Sequence, residues 1–285
     1  MLNLQESREL VREVMPNVHF PEISFEPLYY GNGNVHPTRK ALVGTVEGQQ
    51  FLYSEPTERY QVIHHEQAAA GIIEFFQSPE MLDRYGKAVF QPVLWNDGAR
   101  MKFTATLKDS PMTVETRKGK VSVAPRITII NSYDLSKKLK ILFEALQLVC
   151  SNGMMAYRAI QEAQKRHITG IDLQEQLELI EPAMASYPLQ MEFWGKLAKK
   201  SFTGPEFEEF VKLLPFGQKH LDSLVELEII GTGGTLLKQY LSVNVNAWEA
   251  HNAITQYLTH EIDSEDVRLT KSEEVERAFQ KVIGK

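Results

Sequence analysis

Cysteine is nearly missing from this chain: Cys150 stands alone among 285 residues, so no internal disulfide and no cysteine-ligated zinc is available. Its setting in an apolar run marks it as a buried thiol rather than a nucleophile. No apolar run approaches the ~20 residues that span a bilayer. The opening Met1-Leu2-Asn3-Leu4-Gln5-Glu6-Ser7 lacks the basic start and apolar core of a signal peptide. The expected compartment is the cytoplasm, with no membrane partner.

Chemical motifs are also missing. Gly231-Thr232-Gly233-Gly234 has Leu236 where a dinucleotide fingerprint needs glycine, and no Walker lysine follows. No GxSxG elbow exists for a hydrolase nucleophile. His64-His65-Glu66 invites a metal reading, but adjacent histidines diverge and no HExxH spacing follows. His251 and His260, nine apart, do not share a helical face. Pairs such as Glu208-Glu209 and Glu273-Glu274 read as solvated faces. No metal, cofactor or catalytic residue is expected. An enzyme acting on nucleic acid would need His64, His167, His251, His260 and Glu66 brought together by folding.

What is present is segregated charge. The net charge is −6, yet Asp97 to Lys140 holds ten basic residues against four acidic ones. That window carries +6, so the rest carries −12. Such segregation builds a steering field.

The pattern predicts an α+β fold: an antiparallel β-meander with a basic face packed on helices, followed by a mostly helical C-terminal half. A helix is expected at 2–15, a turn-rich loop at Gly31 to Pro37, and a hairpin from Ala41 to Tyr53. A short strand at Tyr60–Ile63 would lead into a helix at Glu66–Phe76. Two hairpins follow, 88–108 around Asn96-Asp97-Gly98 and 112–130 around Arg117-Lys118-Gly119. Alternation puts Met101, Phe103, Ala105 and Leu107 on one face and Arg100, Lys102, Thr104, Thr106 and Lys108 on the other. Leu139, Ile141, Leu142, Leu146 and Val149 predict a helix ending near Asn152-Gly153. Further helices are expected at about 154–166, 172–186, 188–200 and 205–213. The chain divides into an N-terminal helix and loop (1–38), a core (39–262) and a charged C-terminal helix (263–285).

The basic face is the leading functional candidate. Arg100, Lys102, Lys108, Lys120 and Arg126, with Arg117 and Lys118 at a hairpin tip, would neutralise phosphates, and Trp95 would stack on a base. Near the C-terminus, Trp248, Asn252, Thr255 and Thr259 form one stripe of a helix opposite Ala250, Ile254, Tyr257 and Leu258. Trp248, Asn252 and Thr255, together with Asn152, are expected to form a structural polar seam.

Three segments resemble a known family. They are Arg59-Tyr60-Gln61-Val62 leading into the Glu66 helix, Val149-Cys150-Ser151-Asn152-Gly153 followed by Arg166-His167, and Trp248 through His260. Their order and wording are similar to the phage/plasmid-like family called domain of unknown function 932, over roughly residues 39–262. The resemblance implies a mobile-element origin and a cytoplasmic location, and supplies no catalytic residues. A meander followed by a long helix at 88–150 is also similar in order to the core of single-strand annealing proteins. The expected function is therefore a phage or prophage single-stranded nucleic-acid-binding protein, a homo-oligomer acting in recombination without nucleotide hydrolysis. The alternative is a factor that inhibits or scaffolds a host protein through the acidic helices near 172–181 or the Trp248 stripe.

Overall fold

The computed structural model describes residues 2–117, 119–147, 153–156, 164–165, 173–185, 187–217 and 245–283. The chain forms two compact units. The first comprises 1–109, 126–143 and 159–184, and the second 110–125, 144–158 and 185–285. The fold is α+β with antiparallel sheets and a helical C-terminal region.

In the first unit, α1 (Leu4–Val14) starts at a capping box in which Asn3 accepts from the Glu6 amide and the Glu6 carboxylate accepts from the Asn3 amide. Strands β1 (Glu22–Tyr30), β2 (Asn34–Val46) and β3 (Gln49–Ser54) form a three-stranded meander in sequence order. Gly44 is required in β2, because the Tyr53 ring lies where its Cβ would stand, only 2.0 Å away. Helix α2 (His65–Gln77) packs beside α1 and against the main sheet. Next, α3 (Pro79–Tyr85) begins with Ser78 as N-cap and proline in its first turn, a favoured start.

The main sheet contains β4 (Val89–Trp95), β5 (Arg100–Thr106), β7 (Gly119–Ser132), β8 (Leu139–Gln147) and β10 (Gln164–Lys165), in the order β10-β8-β7-β5-β4. Strand β6 (Met112–Thr116) pairs with the beginning of β7, and β9 (Gly153–Ala156) with β8. Asp97 and Gly98, with φ of 53° and 81°, are the central residues of a turn closed by the Ala99 amide donating to the Asn96 carbonyl at 2.9 Å, and positive φ at both is what a type I′ turn requires and Asp-Gly favours. Met101, Phe103 and Ala105 share a face with Asn131, Ile129 and Ile127, as alternation predicts.

Segment 139–147, expected as a helix, is a strand. Leu139, Ile141, Phe143 and Ala145 are buried on one face, and Leu142 and Glu144 on the other. Leu139, Leu142 and Leu146 also fit a helical stripe, so both periods are present in the segment, and pairing within the sheet decides. Three other expectations also change. Residues 60–63 are irregular rather than a strand, and β2 already begins at Asn34 within the expected loop. Within the helix expected at 154–166, the described residues are β9 and β10. Near 172–186 the helix is two short ones, α4 (Leu173–Leu177) and α5 (Ile180–Ala185).

In the second unit, α6 (Tyr187–Lys199) packs on β6. It is followed by β11 (Ser201–Phe202), α7 (Gly204–Leu213), β12 (Val245–Asn246), α8 (Ala247–His260) and α9 (Glu265–Ile283). Their shared core centres on Trp194, Phe202, Phe210, Ile254 and Phe279, with Val114 and Val123 from the β6–β7 hairpin. Asn246 joins three elements. Its side-chain oxygen accepts from the Trp248 and Glu249 amides at 3.0 and 3.3 Å, and its amide donates to the carbonyls of Ala198 and Lys200 at 2.9 and 3.1 Å. Loss of a cap and of two partnered carbonyls makes Asn246→Ala cost about 2–3 kcal/mol. Urea unfolding followed by Trp fluorescence, which Trp194 and Trp248 dominate in this unit, should show the fall. An unchanged midpoint would contradict this role for Asn246.

Candidate nucleic-acid interface

On the expected basic face, Arg100, Lys102, Thr104 and Thr106 stand opposite Ser132, Ile130, Thr128 and Arg126 in the β5–β7 register. The register is as predicted, but Thr104, Thr106, Thr128, Ile130 and Ser132 are buried. Arg100 donates from Nε to Asp134 Oδ2 at 2.5 Å, and Asn96 donates to the same oxygen at 3.0 Å. Burial pushes the Asp134 carboxyl up, but the Ser136 and Arg100 hydrogen bonds outweigh it and hold it below the usual range. Arg126 donates to the Thr106 hydroxyl at 3.2 Å. The middle of this face is thus a hydrogen-bonded interior surface, with Arg100, Lys102 and Arg126 half-buried and Lys108 exposed. Trp95 is half-buried opposite Arg100, and Phe90 stacks on core Phe103 at 5.9 Å.

In the second unit Arg117 is exposed and bonds the Ser201 hydroxyl, while Lys120 faces Glu115 at 3.6 Å across the hairpin. An exposed pair of that kind contributes about 0–1 kcal/mol. Lys118, Asn152, Cys150, Arg166, His167 and Gly231–Gly234 lie outside the described residues.

Of the C-terminal stripe, Trp248 and Thr255 are buried and Asn252 is half-buried. The Thr255 hydroxyl donates to the Asn252 carbonyl at 3.0 Å and the Thr259 hydroxyl to the Thr255 carbonyl at 2.7 Å. These hydroxyls are satisfied within their own helix. His251 is fully buried with Nε2 2.9 Å from Glu276, whereas His260 is exposed.

His65 is structural. Its Nε2 stands 3.1 Å from the Gly98 carbonyl and its Nδ1 2.9 Å from the Asn131 amide nitrogen. A carbonyl only accepts and an amide nitrogen only donates, so the ring is the neutral Nε2–H tautomer. Glu66 is engaged by Arg8 at 3.0 Å. Among the described residues, no group of three His, Cys, Asp or Glu side chains is placed to hold a metal.

Among the described residues, the most open aromatic surface lies elsewhere, on the β1–β2 hairpin. Phe25, Tyr29, Tyr30 and Val35 are exposed, Tyr29 at 62% and Tyr30 at 52%. Gly31 and Gly33 turn the chain with φ of 56° and 85°, and a Cβ on either would meet nothing within 4 Å. Tyr29 pairs with Val35 and Tyr30 with Asn34; beyond them β2 bulges, so that Lys40 pairs with Pro27. The bulge is closed by His36, whose Nδ1 accepts from the amides of Thr38 and Arg39 at 3.3 and 3.1 Å. The His36 ring meets Tyr30 edge-on at 5.7 Å. Arg39 and Lys40 are exposed, and residues 27–46 contain no acidic side chain in a chain with 37 of them.

Sequence reasoning missed Tyr29, Tyr30, His36, Arg39 and Lys40. The signal available was a Tyr pair ahead of Gly-Asn-Gly-Asn, with cations following and carboxylates absent.

Residues 53–281 match the family model described as domain of unknown function (DUF932). The chain belongs to that family. No curated protein and no solved structure matches it. The DUF932 match begins at Tyr53, so the aromatic hairpin precedes it in the chain. Among the described residues, no helix is long and apolar enough to cross a membrane.

Two groups, His64 at the start of α2 and Tyr53 in β3, give the first unit a defined pH range. Burial lowers the His64 imidazole from its usual value, the Glu66 charge raises it, and Arg8 lowers it again. The folded chain then binds fewer protons there than the unfolded chain, so this stability is present above ~6.5 and lost as pH falls below it. Tyr53 is pushed up to about 12, by burial first and Asp97 second. Its contribution is present below ~10 and lost as pH rises toward the folded value. Thermal midpoints should therefore fall at both ends, and His64→Gln should flatten the acid limb. An acid limb unchanged in that variant would contradict the assignment.

Proposed function

We propose that this DUF932 protein binds single-stranded nucleic acid, with the β1–β2 hairpin as its principal contact. The observation that carries the reading is an exposed pair of tyrosines beside Arg39 and Lys40 in a stretch without carboxylates. Exposed rings accept stacked bases of any identity, and the cations neutralise the backbone. A contiguous exposed aromatic surface also needs an explanation that scattered apolar side chains do not. Lys102 and Lys108 are secondary phosphate contacts in this reading, and Arg117 and Lys120 add positive charge near the other hairpin tip. A phage or prophage origin and a cytoplasmic site of action are proposed on the family resemblance alone. Annealing forms no part of the proposal, because the long helix that the comparison required is strand β8.

Fluorescence anisotropy of a labelled single-stranded oligonucleotide across a salt series tests it. Replacing Tyr29 and Tyr30 together by alanine should weaken binding by about 1–3 kcal/mol. Removing both Arg39 and Lys40 should reduce the log–log salt slope by about 1.4, at ~0.7 per phosphate contact. Full affinity in all these variants would dismiss the hairpin. Indifference of the native protein to oligonucleotides at low salt would dismiss the nucleic-acid reading, and the aromatic surface would then be a protein interface.

A further inference from the structure

Both faces of the hairpin tip are open. Every residue from Tyr29 to Val35 is exposed, whereas Ala41–Gly44 in the same strand are buried. Adjacent residues of a strand point to opposite faces, so the tip carries one tyrosine on each side. Tyr29 with Val35 occupies one face; Tyr30 with Asn34 and the His36 ring edge occupies the other. The apex between them is Gly31-Asn32-Gly33, narrow and nearly free of side chains.

We infer that the hairpin tip is a two-sided wedge for nucleic acid, stacking one base from each of two strands where a duplex parts. This rests on the nucleic-acid reading above and names its substrate as a fork rather than a continuous single strand. A single strand lying along one face would use only one tyrosine, leaving the other ring in water. At a fork the apex enters between the strands, each unpaired strand meets its own tyrosine, and Arg39 and Lys40 at the base of the tip meet phosphates. A paired two-strand ribbon is one layer thick, so no part of the sheet blocks either side at the tip. Its bareness has a stability cost, since a two-stranded hairpin covered on neither face is marginal in water. Bound strands would supply that cover.

The test compares three labelled DNA probes of equal unpaired length: a fork with two unpaired arms, a duplex with one tail, and a single strand. The native protein should bind the fork about tenfold more tightly than the tailed duplex, as one additional stacked base requires. Tyr29→Ala and Tyr30→Ala should each bring fork affinity down to that of the tailed duplex. Tyr29→Phe and Tyr30→Phe, which keep the ring, should restore the preference; circular dichroism confirms that the variants fold. Equal affinity for fork and tailed duplex would overturn the wedge while leaving single-strand binding in place. Failure to bind any probe would overturn both.

Discussion

The first unit is held by a buried polar hub at Tyr133. The His65 backbone amide donates to the Tyr133 hydroxyl at 2.7 Å, and the two rings stack with centroids 4.0 Å apart. Asn131 donates to the Ile63 carbonyl and to His65 Nδ1, which fixes the start of α2 against β7. On its other side, Tyr133 stacks on Tyr53, and its carbonyl accepts from the Ser54 hydroxyl at 2.7 Å. Tyr53 in turn lies over Gly44 and donates to the Asp97 carbonyl at 2.6 Å. One chain of contacts therefore ties α2, β7 and the β4–β5 turn to the meander. Unpairing any buried member strands its partner, at about 1–3 kcal/mol each. The hairpin projects with two bare faces because its base is anchored in this way.

Much of the fold was legible wherever a local signal had a single reading. Asn96-Asp97-Gly98 with alternating flanks gave the β4–β5 hairpin, and the apolar run Glu66–Phe76 gave α2. Register was legible too, since Met101, Phe103 and Ala105 fall on one face as alternation requires. Leu139–Gln147 carries two periods: Leu139, Ile141, Phe143 and Ala145 alternate as a strand does, while Leu139, Leu142 and Leu146 fit a helical stripe, and only pairing with neighbouring strands decides between them. Asn34–Val46 was half-hidden because a glycine-rich turn and Pro37 look like loop, while the pairing across the bulge depends on His36 holding two amides.

The candidate site shows the same division. A run of alternating cations and hydroxyls reads as a solvated face, yet Thr104, Thr128 and Ser132 are buried and Arg100 is committed to Asp134. Composition reports which side chains alternate but not what lies over them. The open chemistry instead sits at Tyr29, Tyr30, Arg39 and Lys40, where exposure comes from a hairpin extending past its supporting layer. Charge segregation still matters, since a chain of net charge −6 approaches a polyanion only through locally acid-free surface. In the second unit, by contrast, Trp248, His251 and Thr255 are absorbed into packing and into bonds within α8 or to Glu276.

The most direct measurement is photo-crosslinking of a bromouridine-substituted single-stranded oligonucleotide to the full chain, with the attached peptide identified by mass spectrometry. The account predicts attachment at Tyr29 or Tyr30. Attachment confined to the sheet face around Lys102 and Lys108, with the hairpin unlabelled, would contradict it.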